Sequence, residues 1–184
     1  PRPLVAVEQT SQRRLQARRL RLENGLLVAD FPRGLGSVTI KIDAKSHYFT
    51  ASAIAADVPD LASFTFFQIS PALDKYVGQM AGLASDDQSG GCLRSLALAV
   101  ETSFQGSPLQ FRAWTTKEHG LLGHSVGLAA GPREKLFEML RSMAEHEPVP
   151  KSLYGGPRAM GAQETRGSYL FADLAAKDTD HWIE

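Results

Sequence analysis

The sequence predicts an α+β fold: one domain built on a mainly antiparallel sheet of about 6–7 strands. An N-terminal helix and two amphipathic helices pack on that sheet, and an irregular C-terminal tail follows. Three observations carry this reading. Several short runs alternate apolar and polar residues with the period of two that a half-buried strand requires. Consecutive strand-like runs between 93 and 129 are joined by short turns, so they pair antiparallel, because parallel neighbours need a long crossover. Residues 71–84 and 132–147 carry helical spacing behind a proline, which suits the first helical position.

In chain order, residues 8–23 (EQTSQRRLQARRLRLE) are good helix formers without glycine or proline, and this predicts the first helix. Leu15 and Leu22 share its face at i, i+7, a thin apolar stripe. Asn24-Gly25 stops it, since both residues tolerate the left-handed cap. LLVADF (26–31) reads as a strand, residues 32–36 as a turn, and SVTIKIDAK (37–45) as a half-buried strand with Val38, Ile40 and Ile42 inward. The small residues of 47–56 fit strand or helix equally. SFTFFQI (63–69) is aromatic and β-prone. PALDKYVGQMAGLA (71–84) predicts a helix capped by Ser70, with Leu73, Tyr76, Val77, Met80 and Leu83 on one side.

SDDQSGG (85–91) is a polar loop, and 93–104 gives the strongest strand alternation. In LQFRAWTT (109–116), Leu109, Phe111 and Ala113 share one face and Arg112 and Trp114 the other. LLGHSVGLA (121–129) is the next strand. Gly131-Pro132 then opens a helix to about Glu147, with Leu136, Phe137, Leu140 and Met143 toward the sheet. SYLFADLA (168–175) is a last strand or docking segment in the tail. The division is a basic helical arm (1–25), an α+β core (26–147) and a Gly/Pro-rich tail (148–184).

Lys plus Arg and Asp plus Glu both total 20, so no net field steers a polyanion. The balance hides a polarity. Arg13, Arg14, Arg18, Arg19 and Arg21 cluster without an acid, while Asp173, Asp178, Asp180 and Glu184 near the far end face only Lys177. A lone cysteine, Cys92, excludes an intrachain disulfide and a thiolate metal cluster and suits a reducing interior. No apolar run reaches the length of a membrane span. The first residue is Pro1, which suggests either a processed product, such as an organelle-imported precursor, or a fragment. The expected location is intracellular, in the cytoplasm or an organelle matrix such as the mitochondrion.

The nearest approach to a chemical motif is KEHGLLGHSVGLAAGP (117–132). His119 and His124 are five apart, which matches neither the i, i+4 of a helical zinc pair nor the i, i+2 of a strand. No metal is expected. Gly123, Ser125, Gly127 and Ala129 form a face almost without side-chain volume, into which a helix can settle closely. RGLG (33–36) and GGPR (155–158) read as ordinary turns rather than phosphate cradles. Asp86 and Asp87, six and five residues before Cys92, match a solvated loop, and no base for the thiol is visible. His47-Tyr48 and His181-Trp182 offer less. No catalytic residue and no cofactor are expected.

The arginine run is the partner-binding candidate. A solvated face would mix in glutamate, and arginine favours bidentate contact with carboxylate or phosphate. The reading is a non-catalytic scaffold subunit of a larger intracellular assembly, docking through charged terminal arms onto acidic surfaces of other protein subunits. The first alternative is a nucleic-acid-associated, ribonucleoprotein subunit that uses the same arginines. The second is a small-molecule enzyme with a pocket near His124 and the 85–92 loop.

Overall fold

The structure, a computed structural model, describes residues 5–73, 75–78, 82–105 and 108–148. Over these the chain is mostly β, which corrects the α+β expectation. Two antiparallel sheets of five and eight strands replace the sheet of six or seven, and the single described α-helix, α1 (Leu136–His146), comes last.

The predicted N-terminal helix is three strands: β1 (Ala6–Gln9), β2 (Arg14–Gln16) and β3 (Arg19–Glu23). Helix propensity among Arg, Leu and Gln is worth only tenths of a kcal/mol per residue. Sheet pairing and the burial of Val7 and Leu15 outweigh it. The RLRLE run of β3 alternates with period two, as a strand should. Asn24-Gly25 is a hairpin turn and not a helix stop. Both residues have positive φ, 51° and 77°, as a type I′ turn demands, and they join β3 to β4 (Leu26–Asp30).

The described residues of the second predicted helix are not helical either. Its described part holds β8 (Tyr76–Gly78) and β9 (Leu83–Ser85), paired antiparallel; Met80 lies outside the described residues. Two glycines each cost a helix about 1 kcal/mol. Gly82 in addition has φ +66°, and a Cβ there would sit 2.7 Å from the Leu93 carbonyl oxygen.

The remaining strands are β5 (Ser37–Ala44), β6 (Phe49–Ala56), β7 (Leu61–Ile69), β10 (Ser89–Ser95), β11 (Val100–Gln105), β12 (Gln110–Thr116) and β13 (Ser125–Pro132). The five-stranded sheet runs β11-β12-β7-β1-β2 and the eight-stranded sheet β3-β4-β5-β6-β13-β10-β9-β8. Thus β1–β3, expected to form a separate arm, are built into both sheets. The open stretch 47–56 is a strand, and the expected 93–104 strand is broken at Leu96–Ala99, where the chain turns.

One core fills the space between the sheets, with Ile40, Phe64, Phe66, Leu93, Phe111 and Val126 nearly inaccessible. The register between β7 and β12 slips at Phe66, so Ala113 faces Phe67 while Trp114 faces Thr65. That bulge lets residues of both parities bury, and Phe64, Phe66 and Phe67 all turn inward.

A smaller cluster lies under α1, formed by Tyr48, Cys92, Leu96, Ala129, Leu136, Met139 and Met143. Gly127 and Ala129 of the small-residue face seat the helix, as expected from the sequence, whereas a Cβ at Gly123 would have nothing within 4 Å and Ser125 bonds Ser52. A Cβ at Gly127 would lie 2.5 Å from Met143 Sδ, and one at Gly90 would lie 3.0 Å from Leu136 Cδ2. The stripe itself needs correction. Leu136 and Met143 are buried and Leu140 half-buried, but Phe137 is 81% exposed and Met139 holds the inward place. Gly131 and Pro132 finish β13, and a 3-10 turn over Arg133–Lys135 delays α1 to Leu136. Leu136, Met139 and Met143 then share one face at i, i+3, i+7, and Phe137 falls about 100° away. The predicted strand at 168–175, the GGPR loop, His181-Trp182 and the acidic terminal stretch lie outside the described residues.

Candidate functional site

The five arginines of the predicted partner site lie on one side of the sandwich. β2 and β3 are the outermost strands of their respective sheets, and Ala17-Arg18 carries the chain from one to the other. Main-chain bonds hold this crossing, from Ala17 N–H to the Val5 carbonyl (3.2 Å) and from Arg18 N–H to the Asp30 carbonyl (2.8 Å). Arg13 lies in the β1–β2 turn, Arg14 on β2, Arg18 in the crossing, and Arg19 and Arg21 on β3. Arg13, Arg14, Arg18 and Arg19 are exposed.

Their partners differ. Arg21 is half-buried and forks onto Asp30, Nε to Oδ2 at 3.2 Å and Nη2 to Oδ1 at 3.1 Å. The hydrogen bond to that carboxylate raises the guanidinium's pKa. Arg14 Nη2 donates to Gln68 Oε1 at 2.6 Å. Arg13, Arg18 and Arg19 take part in none of the ion pairs among the described residues. The thin stripe is divided: Leu15 is 4% exposed and belongs to the core, whereas Leu22 is 66% exposed. The segment is therefore both part of the scaffold and a charged surface.

Arg112 and Trp114 join this surface from the outer face of the five-stranded sheet. The Arg112 guanidinium stacks 4.6 Å from the Trp114 ring centre, and its buried Nε has no hydrogen-bond partner. Burial first, and the nearby Arg14 second, push its pKa down, while Glu8 and Glu101 oppose them. Gln68, which accepts from Arg14, donates to Gln110 Oε1 at 3.2 Å. The alternation of FRAW places Arg112 and Trp114 together. Their meeting with Arg14 depends on β1 and β7 lying between β2 and β12, which no local signal reveals. The other aromatic residues of FTFF and FRAW, namely Phe64, Phe66, Phe67 and Phe111, are buried in the core.

The histidines of the 117–132 stretch organise a turn. His124 Nε2 donates to the His119 carbonyl at 3.1 Å, and His119 Nδ1 lies 3.1 Å from Thr116 Oγ1. Beside them, the buried Thr115 hydroxyl lies 2.7 Å from the Gly120 carbonyl and 2.9 Å from that of Ala99. No group of three His, Cys, Asp or Glu with metal-binding geometry occurs among the described residues.

In the acidic loop, Asp86 Oδ1 accepts from Gln88 and Ser89 N–H at 2.8 and 2.6 Å, and these bonds hold its pKa down. Asp87 pairs with Lys75 and, at 3.8 Å, with Arg133. Cys92 is fully buried, and burial pushes its thiol up to about 11, the opposite of what a nucleophile requires. Two shallow clefts open elsewhere. One, of about 300 Å³, is lined by Ser95, Ala97, Leu98 and Val100. The other, of about 380 Å³, includes Lys45, His47, Tyr48 and Lys135. Neither is lined by His124 or by the 85–92 loop.

Among the described residues no helix is long and apolar enough to cross a membrane. Comparison with known proteins finds no matching family model, curated protein or solved structure.

Proposed function

We propose that this protein is a non-catalytic interaction subunit of a larger assembly, docking through the arginine-lined side of its sandwich onto an acidic surface of another protein. The supporting observation is four exposed arginines on adjoining edge segments; the carboxylates beside them are Asp30, already engaged by Arg21, Glu8 opposite Arg14, and Glu23 at the end of β3. Paired strands and the bonded crossing fix the backbone that carries these arginines, so less ordering is needed at docking than a free arm would require. An exposed ion pair is worth about 0–1 kcal/mol, so the arginines act as a set. An intracellular setting, in the cytoplasm or an organelle matrix, belongs to the same reading.

The test is the variant with Arg13, Arg14, Arg18 and Arg19 changed together to Gln. Its thermal midpoint should stay close to the wild type, because all four side chains are exposed. The wild-type chain, isolated from cells at low salt, should run in a discrete complex that rising salt dissociates, and the variant should run outside it. A wild-type chain running alone at low salt, or an unaltered complex with the variant, would overturn the reading. A nucleic-acid partner is the second reading, favoured by Trp114 and Arg112 on the face that Arg14 reaches, since rings beside cations stack bases. Nuclease treatment that dissolves the complex would select it.

A further inference from the structure

We infer that the β3 edge also pairs with β3 of a second copy of this chain, antiparallel about a two-fold axis at Arg21. The two eight-stranded sheets then become one continuous sheet. This inference does not rest on the docking reading: it needs no acidic partner, and Arg19, which the two share, is set here against Glu23 of the second copy.

Among the described residues β3 is bonded only to β4, through an unbroken register from Arg19↔Asp30 to Glu23↔Leu26. The residues that flank a two-residue hairpin turn exchange both main-chain hydrogen bonds. Glu23, Arg21 and Arg19 therefore bond to β4, and Leu20 and Leu22 direct their N–H and C=O groups to the open edge. Unpaired edge groups of this kind are a template for another strand.

The side chains are self-complementary about Arg21. Antiparallel pairing places Arg19 opposite Glu23 of the second copy, Leu20 opposite Leu22, and Arg21 opposite Arg21. Both outer pairs occur twice by symmetry. The like charges at the axis are each already held by Asp30 at 3.1 Å.

The leucines need cover. Leu20 is paired across the sheet with Ala29 and through it with Val38, and Leu22 with Leu27 and Ile40. Paired residues share a face, and Ala29, Val38 and Ile40 are buried. Leu20 and Leu22 thus extend the core face to the rim, yet they are 42% and 66% exposed. A second copy brings two more leucines against them. The adjoining edge, β2, has no such surplus, since its one leucine, Leu15, is buried already; β8, at the far edge of the eight-stranded sheet, exposes Tyr76 and Val77 but spans only three residues.

The experiment is sedimentation equilibrium on the purified full chain and on charge-swapped variants, each checked for an unchanged thermal midpoint. Wild type should weigh two chains. Glu23→Arg and Arg19→Glu should each weaken the dimer roughly tenfold or more, since each sets like charges opposite one another twice. Mixing these two variants should restore a dimer, because every outer pair is then of opposite sign. So should the double variant Arg19→Glu with Glu23→Arg on its own. A monomeric wild type, or a dimer indifferent to Glu23→Arg, would overturn the inference. Single variants that do fail to fold leave the decision to the double swap, which must dimerise like wild type.

Discussion

Between the two sheets the core is made of phenylalanine rings and branched aliphatic side chains. Under α1 it is made of methionines laid over glycines and alanine. In the first region both layers contribute bulk. Phe64 and Phe66 meet edge-on at 4.7 Å and Phe104 and Phe111 at 4.9 Å, and the bulge at Phe66 adds a residue to the packed set. In the second region the sheet gives up its side chains, at Gly90, Gly127 and Ala129, and the helix supplies Leu136, Met139 and Met143. The lesson is that side-chain volume is shared between facing layers to reach a fixed density. A flexible methionine fills an irregular gap, whereas rings define one.

The sharpest break of this comparison is in the ring core. Phe66→Ala should cost about 3–5 kcal/mol, read from urea unfolding, because Phe66 is completely buried. A smaller and opposite change probes the helix seat. Gly127→Ala inserts a methyl where Met143 Sδ stands at 2.5 Å and should cost about 1–3 kcal/mol by overpacking. In a Met143→Ala background the same substitution should cost less, so the double-mutant cycle will be non-additive.

Alkaline titration separates the regions by chemistry. The cluster under α1 holds Tyr48, pushed from 10.0 to about 12 by burial and then by its hydrogen bond to Glu147, and Cys92, pushed from 9.0 to about 11 by burial. The folded chain keeps both protons at pH values where the unfolded chain has released them. This stabilisation is complete below pH about 9 and is lost as pH rises through the folded values of about 11 and 12. Urea midpoints measured from pH 8 upward should show a fall that Tyr48→Phe and Cys92→Ala each diminish, and that substitutions in the ring core do not. The smallest effect is expected at Phe137→Ala. The outward ring should contribute within about 0.5 kcal/mol, and a thermal midpoint shifted well beyond that would place α1 in a different rotation.

How much of this was legible in the sequence varied with the range of the signal. Strands at 37–45 and 109–116 followed from alternation, those at 26–31 and 63–69 from short β-prone runs, and the glycine face of β13 announced a close-packed helix. The mistakes differ in cause. Residues 8–23 read as helix by propensity, a term of tenths of a kcal/mol per residue, while RLRLE and the Asn24-Gly25 hairpin carried the stronger local signal. Residues 71–84 read as helix by apolar spacing behind Pro71, a signal that Gly78 and Gly82 oppose. For the candidate site, the residue types Arg13, Arg14, Arg18, Arg19 and Arg21 were visible, and so was the common face of Arg112 and Trp114.

What the sequence by itself determined is periodicity, turn chemistry and the charge of each segment, because these depend on neighbours along the chain. Tertiary structure decided which strands became edges. It placed Arg14 beside Gln68, gave Asp30 to Arg21, and left Leu20 and Leu22 at an open rim. Those outcomes are set by pairing between segments distant in sequence, whose energy appears only when the sheets close around a shared core.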